Sequence, residues 1–71
     1  MNATSVLYTK SHGISVLELG RDIEHLLRKQ EIATINDLGH CYASDLAAGG
    51  FSREQIALIE SSLEQHGFAL A

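Results

Sequence analysis

The apolar positions fall into short runs whose spacing changes at a few polar or glycine-rich breaks. Ile14, Val16, Leu17 and Leu19 make a first apolar cluster, long enough to lie across a core but short of a regular helix. From Arg21 to Gln30 the spacing becomes helical: Ile23, Leu26 and Leu27 fall at i, i+3 and i+4 and form one stripe, with Glu24 and Arg28 four apart on the other side. Gly20 is the expected N-cap of this helix. A second, short helix is predicted after Thr34, whose hydroxyl and Asp37 three residues on form a capping box, with Ile35 and Leu38 facing inward. Ser44-Asp45-Leu46-Ala47-Ala48 reads as a third, capped by Ser44 and stopped by Gly49-Gly50. The last helix carries the strongest signals. Ser52-Arg53-Glu54-Gln55 is a capping box, Ile56, Ile59 and Leu63 repeat on the inner face, and Gly67-Phe68 fits a left-handed helix stop with its apolar partner. The sum is an all-α compact bundle of four to five short helices over residues 14–71, preceded by a leader over 1–13.

Composition narrows the class. The chain has 71 residues, of which 45% are apolar, so one small core can form but a second domain cannot. A core of that size leaves little room for a deep catalytic cavity, and no order of Ser, His, Asp or Cys resembles a nucleophilic site; a non-enzymatic protein is expected. Five Lys and Arg against nine Asp and Glu give −4, which disfavours a general nucleic-acid coat. Cys41 is the single cysteine, so no internal disulfide forms and a cytoplasmic location is expected. The start lacks a basic leader with a long apolar run, no stretch reaches the ~20 apolar residues of a membrane span, and the end offers no prenylation box. His40-Cys41 with His12, His25 and His66 lacks zinc-ligand spacing, so neither metal nor cofactor is expected.

The order of these elements resembles the C-terminal domain of the bacterial RNA polymerase alpha subunit. The resemblance covers about residues 14–71. It begins at Leu17-Glu18-Leu19, passes through Leu27-Arg28, and continues in Ile32-Ala33-Thr34-Ile35-Asn36-Asp37-Leu38, which is similar to the family's I-x-T-I-x-D-L step. Asp45-Leu46, Phe51 and the ending Ile56, Ile59, Leu63, Gly67-Phe68 and Leu70 follow in the same order. The resemblance implies a compact helical domain with a helix-hairpin-helix-like turn at Gly49-Gly50-Phe51. It also implies a link to transcription, through contacts to the DNA minor groove and to regulators.

The family's DNA contacts come from the start of its first helix and from the hairpin before its last. Here its arginine falls on Asp22, its asparagine on His25 and its lysine on Arg28. In the hairpin, Asn-Leu-Gly-Lys-Lys-Ser becomes Gly50-Phe51-Ser52-Arg53-Glu54-Gln55, so Arg53 alone keeps a positive charge and Ser52 replaces the glycine. Affinity for DNA scales with the phosphates neutralised, and Arg28 with Arg53 is a small number. Leu58, by contrast, points about 200° away from Ile56 around the last helix at ~100° per residue. With Gln55 and Ser62 flanking it, Leu58 marks a candidate partner face, whereas Glu54, Glu60 and Glu64 read as solvated surface. The chain, beginning at Met1, is expected to be a stand-alone binding module whose partner is a protein, a transcription regulator or RNA polymerase. The alternative is a residual DNA-binding module using His25, Arg28, Gly50, Ser52 and Arg53.

Overall fold

The computed structural model describes residues 9–71. Residues 1–8, which hold most of the expected leader with its Val6-Leu7-Tyr8 patch, lie outside the described residues. A 3-10 turn, Ile14–Leu17, is followed by α1 (Arg21–Lys29), α2 (Ile35–Gly39), α3 (Ala43–Ala48) and α4 (Arg53–Gln65). Helical conformation accounts for 59% of the structure, and no strand occurs among the described residues, so the bundle is all-α.

Each helix starts where a side chain or a glycine satisfies the free amides of its first turn. Thr34 Oγ1 accepts from the Asp37 N–H at 3.0 Å while the Asp37 carboxylate accepts from the Thr34 N–H at 3.1 Å, which completes the expected capping box of α2. Ser52 and Gln55 exchange the same pair of bonds at the start of α4, at 3.1 and 2.9 Å. Gly20 precedes α1 with φ 99°, a left-handed entry that suits glycine. The start of α3 corrects the sequence reading. Its N-cap is Tyr42, not Ser44, and the first turn is held by the Asp45 carboxylate accepting from the Tyr42 N–H at 2.9 Å. Asp45 sits three residues after Tyr42, so its acid reaches back where the tyrosine supplies no cap of its own.

Three of the four helices end in one arrangement. After α1, α3 and α4 a left-handed residue (Glu31, Gly50, Gly67) turns the chain, with φ of 65°, 108° and 82°. The next residue returns its N–H to the carbonyl of a buried leucine five positions earlier: Ile32 to Leu27 at 2.9 Å, Phe51 to Leu46 at 3.1 Å and Phe68 to Leu63 at 2.8 Å. Each is a Schellman turn, and each swings an apolar residue back toward the core. Leu27, Leu46 and Leu63 are fully buried, Ile32 and Phe51 nearly so, and Phe68 packs against them. Helix ends and core are therefore made by the same residues.

The core joins Ile14 and Leu17 of the 3-10 turn with Ile23, Leu27, Ile35, Leu38, Leu46, Ile59 and Leu63 of the four helices. No polar or charged residue is buried among the described residues. Leu26 and Ile56, expected on the inner stripes, are half-buried and pack at the core's margin. The segment before the 3-10 turn is laced to the α1–α2 connection: Ile14 donates to Ala33, Ile35 to His12 and Asn36 to Lys10, at 2.8 to 3.0 Å, with an antiparallel bridge between Gly13 and Thr34. At the other end the Ala71 N–H donates to the Cys41 carbonyl at 2.9 Å, which fixes the tail over α2. Among the described residues, no helix is long and apolar enough to cross a membrane.

Candidate functional site

Leu58 stands on the outer face of α4 with 57% of its surface exposed, where the helical spacing places it. Two shallow grooves run along its flanks. One lies between Leu58 and Gln65 on α4 and Leu17–Leu19. The other lies between Leu58 with Gln55 and the start of α1, where Gly20, Arg21 and Asp22 form the opposite wall. Leu19, half-buried, borders both, so the two leucines make one apolar ridge between them. Two polar residues beside Leu58, Gln55 and Ser62, are bonded within the fold, while Glu18, Arg21, Asp22, Ser61 and Gln65 also line the grooves. The Gln55 carboxamide oxygen accepts from the Ser52 N–H. Ser62 Oγ donates to the Leu17 carbonyl at 2.8 Å and so ties α4 to the 3-10 turn, a structural role that the sequence reading had given to the partner face.

The basic candidates fall in two places. His25 and Arg28 share a groove on the outer face of α1 with Arg21 and Glu24. Arg21 was missed in the sequence, although Arg21, His25 and Arg28 recur at i, i+4 and i+7 and α1 holds three of the chain's five Lys and Arg. The positive field there is partly cancelled, because Glu24 Oε1 lies 3.8 Å from Arg28 Nη2. Gly50, Ser52 and Arg53 lie apart from these grooves, in the turn from α3 to α4. Gly50 is the left-handed stop of α3, Ser52 Oγ accepts from the Gln55 N–H as the α4 cap, and Arg53, exposed, is the basic side chain of that turn. Gln30 bridges the two regions: its carboxamide donates to the Gly49 carbonyl at 2.9 Å and fastens the end of α1 to the hairpin.

No protein-family model, curated protein or solved structure matches the chain. The chemistry of the remaining polar groups must therefore be read from their surroundings. Cys41 is half-buried, and burial, with Asp45 and Asp37 nearby, pushes its thiol above the ordinary value, which suppresses the nucleophilic thiolate. Its Sγ–H points to the Asp37 carbonyl at 3.5 Å. The amides of Ala33 and Thr34 hold the Asp37 carboxyl below the usual carboxylate range. Among the described residues no three His, Cys, Asp or Glu side chains converge as a metal site would require. Glu54, Glu60 and Glu64 are all exposed on α4.

Proposed function

We propose that this chain is a non-enzymatic binding module, similar in scaffold to the RNA polymerase alpha C-terminal domain and associated with transcription. On this reading it docks a protein partner, a regulator or the polymerase itself, through the ridge centred on Leu58. The observation that carries the reading is the exposure of Leu58 beside Leu19, between two shallow grooves, with the Gln55 carboxamide oxygen and the Ser62 hydroxyl next to it bonded inside the fold. Docking there removes apolar surface from water, the term that favours protein association. The test titrates labelled chain with purified bacterial RNA polymerase holoenzyme. Saturable binding that is lost in Leu58→Asp, with helical content unchanged, supports the reading; binding that survives the substitution refutes the ridge as the interface.

A second reading, DNA contact, is favoured by the concentration of positive charge on α1. If Arg21, Arg28 and Arg53 each neutralised one phosphate, affinity for a promoter-like duplex would fall about 40-fold between roughly 50 and 200 mM salt. A dependence that steep, reduced to about 12-fold in Arg53→Ala as one phosphate contact is lost, would move the assignment to DNA.

A further inference from the structure

On the face of the molecule away from Leu58, a cavity of about 270 Å³ opens between the N-terminal segment, α2 and the C-terminal tail. It lies at the small end of the ~300–1,000 Å³ range of ligand pockets, the size for a compact molecule. Its apolar lining is the half-buried Phe68, over the fully buried Ile35; its polar lining is Lys10, Asn36 and His40. Backbone bonds define this polar wall. The Asn36 N–H donates to the Lys10 carbonyl at 2.8 Å, which sets Lys10 over the first turn of α2. Asn36 and His40 are four apart and so share one side of the helix. Gly39 and Gly67 border the cavity and place no side chain in it.

The chemistry of the wall is one-sided. In a chain of net charge −4, no carboxylate lines this cavity. Asp37, the nearest acid in sequence, is turned to the amides of Ala33 and Thr34. The ammonium of Lys10 and the carboxamide of Asn36 make no intramolecular hydrogen bond among the described residues. His40 is oriented: its Nδ1 lies 2.7 Å from the Asn36 carbonyl, an acceptor, so Nδ1 carries the proton and donates. Nε2 is left for an outside partner. A phosphate monoester offers three strong acceptor oxygens and a charge of about −1.5 to −2 to this cluster, where a carboxylate offers two oxygens and a single charge.

We propose that this cavity binds a small phosphate monoester with an apolar body, its phosphoryl group on Lys10, Asn36 and His40 and its body against Phe68. The test follows backbone amide shifts of Asn36, Gly39, His40 and Gly67 by NMR in the full chain, titrated with phenyl phosphate, benzoate, inorganic phosphate or benzylamine. Phenyl phosphate is expected to give saturable shifts confined to these residues, with inorganic phosphate and benzoate weaker and benzylamine without effect. Lys10→Gln, an exposed position, should weaken phenyl phosphate roughly tenfold through loss of a charge-assisted bond. The dispersed spectrum of the variant shows directly that it is folded. The proposal is overturned if phenyl phosphate produces no saturable shift, if benzoate or benzylamine matches it, or if Lys10→Gln leaves its affinity unchanged.

Discussion

Glu31 is the residue whose backbone conformation disagrees most plainly with its side chain. It occupies the left-handed position after α1 with φ 65°, where α3 and α4 use Gly50 and Gly67. A residue with a Cβ in that conformation costs roughly 1–2 kcal/mol. Replacing it with glycine relieves that cost but frees the unfolded chain, which returns about 0.5–1 kcal/mol. The carboxylate also sits at the negative end of the α1 dipole, so its removal adds roughly 0.3 kcal/mol or more. Glu31→Gly is therefore expected to stabilise the fold by about 1 kcal/mol, a rise of roughly 4–8 °C in Tm for a domain of this size. Thermal unfolding followed by far-UV circular dichroism reads the change. Glu31→Ala, which removes the charge and keeps the Cβ, separates the two contributions and should recover only a few tenths of a kcal/mol. The reasoning fails if glycine melts no higher than alanine, because the strain would then not reside in this turn.

The same motif predicts the opposite sign at Gly67, where a Cβ would meet nothing within 4 Å, so Gly67→Ala should cost about 1 kcal/mol from backbone strain alone, read in the same melts. Ser62→Ala removes the bond to the Leu17 carbonyl and should lower stability by roughly 1 kcal/mol, visible as earlier loss of the 3-10 turn's amide protection in hydrogen exchange. The lowered Asp37 carboxyl makes a signed prediction for acid. Its ionised form is favoured in the fold, so its contribution is present above the ordinary value of 3.8 and is lost as pH falls through the lower folded value. Asp37→Asn should flatten that limb of an acid-unfolding curve, and an unchanged limb would mean that the bonds to Ala33 and Thr34 do not hold in solution. Cys41 should react with a maleimide more slowly than a free thiol in a short peptide at the same pH, since burial opposes the thiolate.

Much of this architecture was legible because local signals and tertiary packing agree. The capping boxes at Thr34 and Ser52, the stop at Gly67 and the exposure of Leu58 follow from spacing alone. The turn at Glu31 was not legible, because glutamate carries no preference for the left-handed region and the turn is enforced by Ile32 packing into the core beside Leu27. The start of α3 was misread for a related reason: Ser44 is a good capping residue, but Asp45 reaching back to the Tyr42 amide moves the helix start two residues earlier and makes the serine part of its first turn. In the site, Ser62 looked like a surface residue because its acceptor, the Leu17 carbonyl, is 45 positions away. Arg21 was not legible because Asp22 beside it offsets its charge in the sequence, and the shared groove is what places it with His25 and Arg28. Residues 9–13 read as leader, yet the carbonyls of Lys10 and His12 accept bonds from α2, a pairing that no local pattern announces.

What separates the two proposed interfaces is the state of their polar groups before any partner arrives. Phosphate binding asks for donors that are free to turn toward an anion. In the α3–α4 turn the capping box fixes the orientation of the Ser52 and Gln55 side chains, whose oxygens accept from the Gln55 and Ser52 N–H groups, and on α1 Glu24 lies against Arg28. An apolar partner benefits from the same facts, because polar atoms already bonded inside the fold lose little when water leaves. A single exposed leucine is ordinary on a protein surface. Leu58 differs in its setting: it shares both its grooves with Leu19, and the Gln55 carboxamide oxygen and the Ser62 hydroxyl beside it are bonded within the fold. The proposed choice of protein over DNA thus rests on desolvation as much as on charge. It predicts that Gln55→Ala, which removes a polar side chain beside Leu58 whose oxygen is bonded to the Ser52 N–H, will weaken docking on the Leu58 ridge less than Leu58→Asp does.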